Sequence, residues 1–132
     1  MGFLLLFDVT NESSFLSIKN WLSFIDTYTR IDKDLRPPII LIGNKIDLVT
    51  NRVIDTIHAQ QLANELQITY IETSAVTGTN IQETLNILIE KIFDFMNQSM
   101  QKYYLNPTAT IQRGQSTSVK IKKKLTRACP CT

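Results

Sequence analysis

Short apolar runs closed by polar residues, with helical periodicity between them, constrain this chain more than any other feature. Gly2-Phe3-Leu4-Leu5-Leu6-Phe7 stops at Asp8 and Ile39-Ile40-Leu41-Ile42-Gly43 stops at Asn44, while Ile68–Glu72, before Thr73, reads as a third strand. A run with no polar alternation has two faces to bury, which suits a strand inside a parallel sheet covered on both sides. The stretches between the runs supply the cover. After Asn11, a candidate N-cap, Phe15, Ile18, Leu22 and Ile25 recur at helical spacing, with Trp21 and Tyr28 widening the stripe. Pro37-Pro38 ends any helix before the second run. Asp55 stands where it can cap a helix whose inward face is Ala59, Leu62, Ala63 and Leu66. A last helix is predicted from about Asn80 to about Met100, with Ile81, Leu85, Leu88, Ile92 and Phe95 on one face.

The order β-α-β-α-β-α means right-handed crossovers and an α/β fold of three parallel strands alternating with three helices. Ligands of such sheets sit at the carboxyl ends of the strands, where Asp8, Asn44 and Thr73 fall. The folded part is expected over residues 1–100. Residues 101–132 read as a disordered basic tail, since Asn106–Lys124 is rich in Thr, Ser, Gln and Lys and has no apolar face.

Charge divides the chain in the same place. Residues 1–96 carry 7 Lys and Arg against 12 Asp and Glu, while residues 97–132 carry 7 Lys and Arg and no acid. No apolar run approaches the length of a membrane span. The apolar start has no basic flank and reads as a strand instead of a signal peptide. Cys129 and Cys131, one residue apart, cannot form a disulfide framework, which predicts a reducing, intracellular setting. The only histidine, His58, is expected at an exposed helix position, and no metal site is expected.

Chemistry concentrates in Gly43-Asn44-Lys45-Ile46-Asp47 after the second run and Glu72-Thr73-Ser74-Ala75 after the third. Read from the residues alone, the first motif also fits a polar turn after a strand, and the domain another doubly wound one. Together, one βα unit apart, the motifs resemble the N-K-x-D and S-A motifs with which small GTPases read guanine. The resemblance implies a partial P-loop NTPase (small G-protein) fold. It gives Asp47 the adjacent N1–H and N2–H donors of guanine, which one carboxylate can accept together. Asn44 would bridge the base and neighbouring loops, and the Lys45 stem would lie along the base face with its ammonium outward. The backbone N–H of Ala75 would meet guanine O6, with the Ser74 hydroxyl bracing the pocket. A site built around that polar edge rejects bases lacking it.

The resemblance narrows to the Rab branch, most similar to the subfamily serving lysosome-related and secretory vesicles. It rests on Gly2–Asn11, Ser14-Phe15, Asn20-Trp21, Arg52-Val53, Ala59, Leu62-Ala63 and Tyr70–Ala75, and covers roughly residues 1–97. Rab proteins end in cysteines that take geranylgeranyl groups, which implies lipidation at Cys129 and Cys131. It also implies prenylation and Rab escort machinery as partners, and residence on the cytosolic face of vesicle membranes. One lipid chain anchors poorly, and the five basic residues Lys120, Lys122, Lys123, Lys124 and Arg127 could add up to about 1 kcal/mol each at an anionic leaflet. Thr132 follows the second cysteine, unlike the commonest Rab ending. That leaves open whether one or both cysteines are modified, and by which transferase. No nucleic-acid partner is expected, because no aromatic residue occurs from Leu105 onward to interleave the basic run.

Phosphate chemistry has no carrier in this chain. Gly2, Gly43, Gly78 and Gly114 are its only glycines, none stands before Lys-Ser or Lys-Thr, and no Asp is followed three residues later by Gly. The phosphate loop, the Mg ligands of the full-length family, the water-positioning Gln and both switch segments are therefore lacking. The expectation is a Rab GTPase fragment, with GTP or GDP held by the guanine part only and no catalytic residue of its own. Its parent would be a GTP-hydrolysing switch in vesicle traffic and regulated secretion, with effectors reading the lacking switches. The alternative is a non-catalytic, lipid-anchored interaction module. The chain alone is expected not to hydrolyse GTP.

Overall fold

A computed structural model describes residues 1–29 and 35–105. The predicted disorder of the tail and the two cysteines lie outside the described residues, apart from the helical stretch up to Leu105. Strands β1 (Phe3–Asp8), β2 (Ile39–Asn44) and β3 (Thr69–Glu72) form a parallel sheet in the order β1-β2-β3. Phe3 pairs with Ile39 and Asp8 with Asn44, while Ile40 pairs with Thr69 and Gly43 with Glu72. This register aligns the polar strand ends, so the loops after β2 and β3 emerge side by side.

Burial follows the apolar runs. All of β2 from Ile39 to Gly43 is buried, as expected for the central strand of a sheet covered on both faces. Side-chain alternation sends Leu5, Phe7, Ile39 and Leu41 into one core cluster with Phe15, Ile18, Leu22, Ala59 and Leu62 from the helices. Ile40 and Ile42 are buried on the opposite face.

Where one helix was expected after Asn11, there are two: α1 (Glu12–Leu16) and α2 (Ile18–Thr29). Asn11 is the N-cap, its side chain accepting from the Ser14 N–H at 3.3 Å. The break falls at Ser17, whose hydroxyl donates to the Ser13 carbonyl at 2.8 Å, while the Ser17 carbonyl accepts from both Asn20 and Trp21 N–H. A serine bonding back to the preceding turn in this way bends a helix. Beyond the bend, Ile18 and Leu22 turn inward as expected, but Trp21 and Tyr28 do not. They lie 59% and 72% exposed, on an outer face where Phe24 sits 4.5 Å from Tyr28, ring centre to ring centre.

A 3-10 turn (Val49–Asn51) precedes α3 (Thr56–Leu66), which buries Ala59, Leu62 and Ala63. Asp55 occupies the N-cap position of α3, yet its side chain makes no capping bond. His58 is exposed on α3, its ring edge-on to Phe15 at 5.2 Å.

Helix α4 (Ile81–Leu105) runs 25 residues, past the expected stop at Met100. Leu88, Ile92 and Phe95 are half-buried, and a Cβ on Gly2 would come within 2.9 Å of Leu88 and Ile92. Ile81 and Leu85, expected inward, remain exposed, and Thr84 is the buried residue of the first turns. Its hydroxyl is satisfied by the Asn80 carbonyl at 2.7 Å. A second apolar line of Leu85, Ile89, Phe93, Met96 and Met100 faces outward, and Leu6 of β1 is 57% exposed. Among the described residues no helix is long and apolar enough to cross a membrane.

Candidate functional site

The two loops at the carboxyl ends of β2 and β3 close on each other. Their backbones join where the Thr73 N–H donates to the Gly43 carbonyl at 2.8 Å and the Ile46 N–H to the Thr73 carbonyl at 3.3 Å. Lys45 takes a left-handed backbone, φ 69°, which turns the chain sharply after the strand. Side chains complete the union. The hydroxyl of Ser74, which is fully buried, donates to Asp47 Oδ1 at 2.6 Å. Asn44 Oδ1 accepts from the Ala75 N–H at 3.3 Å and from the Thr73 hydroxyl at 3.4 Å.

Asn44, Lys45, Asp47, Ser74 and Ala75 are thus brought to one end of the sheet. Asp47 is exposed, a carboxylate steadied by Ser74 and turned to solvent. The Ala75 N–H is engaged by Asn44 here, so a ligand oxygen at that position would share or replace the contact. Buried Ser74 also braces its own loop, accepting from the Thr77 N–H at 3.2 Å through its hydroxyl and from the Gly78 N–H at 2.9 Å through its carbonyl. Gly78, at φ 77°, supplies a conformation that side chains disfavour.

Lys45 is anchored at its tip. Its ammonium lies 2.6 Å from Asp8 Oδ2, at the end of β1, and Asp8 Oδ1 accepts from the N–H and hydroxyl of Thr10 at 2.9 and 2.6 Å. Burial pushes the Asp8 carboxyl up, but the bonds from Lys45 and Thr10 outweigh it and hold the group below its ordinary value. Sequence reasoning placed Asp8 at the strand end without a role. Its signal was the register, since only a parallel β1-β2 pair in this alignment puts Asp8 beside the motif.

A second polar cluster, unassigned from the sequence, flanks the loops. Arg52 meets Glu72 through a two-pronged ion pair, with Nη1 3.2 Å from Oε2 and Nη2 closing on Oε1. Glu72 Oε1 also accepts from the Thr56 hydroxyl at 2.8 Å and the Tyr70 hydroxyl at 2.9 Å. Burial raises the Glu72 pKa, but the donors, Arg52 first, lower it overall. Burial and the Glu72 contact push the Tyr70 phenol up. Among the described residues, no group of three or more His, Cys, Asp or Glu could hold a metal ion.

The Ras family model matches residues 1–94. The chain belongs to the Ras family. Its relatives include the Ras-related protein Rab-27A of Homo sapiens, 36% identical over 132 residues, which are 99% of this chain and 58% of that protein. Rab-27B of Homo sapiens is 36% identical over 131 residues, again 99% and 58%. Rab-27A of Canis lupus familiaris is 40% identical over 118 residues, 89% of this chain and 52% of the relative. These relatives bear out the resemblance to the Rab branch. The chain spans just over half the length of the relatives it matches. In this Ras-family chain the matched region ends inside α4 and holds both loops, the Lys45–Asp8 pair and the Arg52–Glu72 cluster.

Proposed function

We propose that this chain is the base-reading part of a Rab-type GTPase, holding guanine through Asp47, Asn44, Lys45, Ser74 and Ala75. The observation that carries the reading is the pair of bonds Ser74–Asp47 and Ala75–Asn44, which merges two loops into one site with an exposed carboxylate. A carboxylate placed beside an amide and a backbone N–H matches the donor–donor–acceptor edge of guanine and mismatches adenine. Charge-assisted bonds of about 1.5–3 kcal/mol each suffice for that choice.

The residues present do not fit phosphate or Mg²⁺ binding. The sequence holds no G-x-x-x-x-G-K-[ST] loop, and the described residues offer no acidic cluster at the site. The chain therefore reads the base without a cradle for the rest of the nucleotide, and no hydrolytic step is assigned to its residues. The parent activity is a GTP-driven switch in vesicle traffic and regulated secretion. The parent is held to the cytosolic face of vesicle membranes by lipid on one or both of Cys129 and Cys131, after Rab escort and prenylation enzymes have acted, and it is read by effectors.

Equilibrium binding of labelled GTP to the 132-residue chain, with and without Mg²⁺, tests this reading. The expected result is no hydrolysis and weak, Mg²⁺-independent binding that prefers guanine to adenine nucleotides. Tight Mg²⁺-dependent binding, or equal affinity for the two bases, overturns it. The outward apolar line of α4 and exposed Leu6 favour a second reading, a lipid-anchored interaction module. That reading requires a soluble monomer with cooperative unfolding.

A further inference from the structure

We propose that Arg52 and Glu72 are positioning residues for the two base-facing loops: their ion pair fixes the loop of Asp47 against the loop of Ser74. The inference rests on the guanine reading of those loops and extends it to residues that would not touch the base.

The direct joints between the loops are the backbone bonds Thr73–Gly43 at 2.8 Å and Ile46–Thr73 at 3.3 Å and the side-chain contacts Ser74–Asp47, Ala75–Asn44 and Thr73–Asn44. Arg52 stands at the end of a short stiff strap leaving the same loop. Leu48 N–H bonds to the Lys45 carbonyl at 3.1 Å, Asn51 N–H to Leu48 at 3.1 Å, and Arg52 N–H to Val49 at 3.4 Å. Each closes over three residues, so a displacement of Arg52 is passed back to Lys45. Beyond Arg52, the N–H groups of Val53 and Ile54 both bond to the Val9 carbonyl, at 2.9 and 3.0 Å, pinning the strap beside the end of β1.

Glu72 is the last residue of β3, and Thr73-Ser74 follow directly. Its backbone carbonyl accepts from Asn80 Nδ2 at 2.7 Å, which ties the far side of the Ser74 loop to the same residue. Its carboxylate takes donors from Arg52, Thr56 and Tyr70, and Arg52 also donates to the Ile54 carbonyl at 2.8 Å and to the Thr56 hydroxyl at 2.9 Å. The Arg52 and Glu72 side chains are only 21% and 20% exposed, so solvent screens the pair little. A planar fork on a carboxylate sets orientation as well as distance, and a lysine cannot reproduce it. Partners of this kind hold binding groups in place without contacting the ligand.

Amide hydrogen exchange followed by NMR on the full 132-residue chain, with Glu72→Gln and Arg52→Lys, tests the inference. The expected result is exchange at Ile46 faster by about tenfold or more, as an interaction of this class is lost, with Ile40 and Ile42, whose N–H groups face β1, unchanged. The exchanged pair Arg52→Glu/Glu72→Arg should recover part of the protection. Unchanged Ile46, or acceleration that includes Ile42 equally, overturns the proposal. Titration with guanosine and adenosine in the same samples separates the two claims. If the original chain responds to guanosine, Glu72→Gln should weaken that response about tenfold, and an unweakened response counts against the proposal. If it responds to neither nucleoside, the guanine reading fails, while the Ile46 exchange still decides whether the pair positions the loops.

Discussion

Gly43 lies at the end of β2 for a steric reason. A Cβ there would stand 2.6 Å from the Tyr70 hydroxyl and 3.2 Å from both Phe7 and Val9, so the missing side chain is the room in which Tyr70 reaches Glu72. Gly43→Ala is expected to lower stability by about 1–3 kcal/mol, read from the urea midpoint. Adding Tyr70→Phe should recover part of that, because the closest atom is then gone. Glu72 also gives stability a pH dependence. Its folded pKa lies below the ordinary 4.5, so its contribution is whole above that value and is lost as pH falls through the lowered one. Asp8, lowered from 3.8 by its bonds to Lys45 and Thr10, acts in the same direction at lower pH. An acid titration of Glu72→Gln should show a flatter loss of stability below pH 4.5 than the original chain; an identical profile would count against the pair. The five residues proposed to hold guanine were legible because their types stand in contiguous motifs. Arg52 and Glu72 were visible as residues of the resemblance, but their meeting across 20 positions depends on a tertiary contact that no local spacing encodes.

At the level of elements, strands were read most readily. Unbroken apolar runs such as Ile39–Gly43 mark a central strand, and β2 is buried along that run. Helices were read less well because an apolar residue can lie on either face. Trp21 and Tyr28 carry large apolar rings and yet lie outside, since the sheet is narrow and Ile18, Leu22 and Ile25 already fill the contact with the core. The split at Ser17 was also unreadable: a serine within a helical pattern gives no sign whether its hydroxyl will bond back to the previous turn. Asn11 and Asp55 make the contrast at helix starts, because only Asn11 accepts a bond from its helix. Asn11→Ala is therefore expected to lower stability by about 1 kcal/mol, and Asp55→Ala by clearly less, both measured by urea unfolding.

At the scale of the whole molecule, an apolar flank lies beside β1. Among the described residues β1 pairs with β2 on one edge only, Leu6 of β1 is exposed, and α4 turns Ile89, Phe93 and Met96 outward. Unpaired strand edges next to exposed apolar surface promote association between copies. The molecular mass measured by light scattering should rise with concentration, and Leu6→Lys or Phe93→Lys should suppress the rise while leaving the helical signal in circular dichroism unchanged. A mass independent of concentration would show the flank to be inert.

The length of α4 has a consequence for how the molecule can be held. The helix starts beside the Ser74 loop and has reached the opening residues of β1 by Leu88 and Ile92, where it meets Gly2. Through Gln98 it still lines a cleft with Pro38, Ile39 and Thr69 at the start of β2 and β3, and the 7 residues from Ser99 to Leu105 continue for about 10 Å past it. The described helix thus ends at the pole opposite Asp47. A ligand held at the Asp47 loop, as proposed, and a contact made at the end of α4 would lie a helix length apart, with the helix as the spar between them.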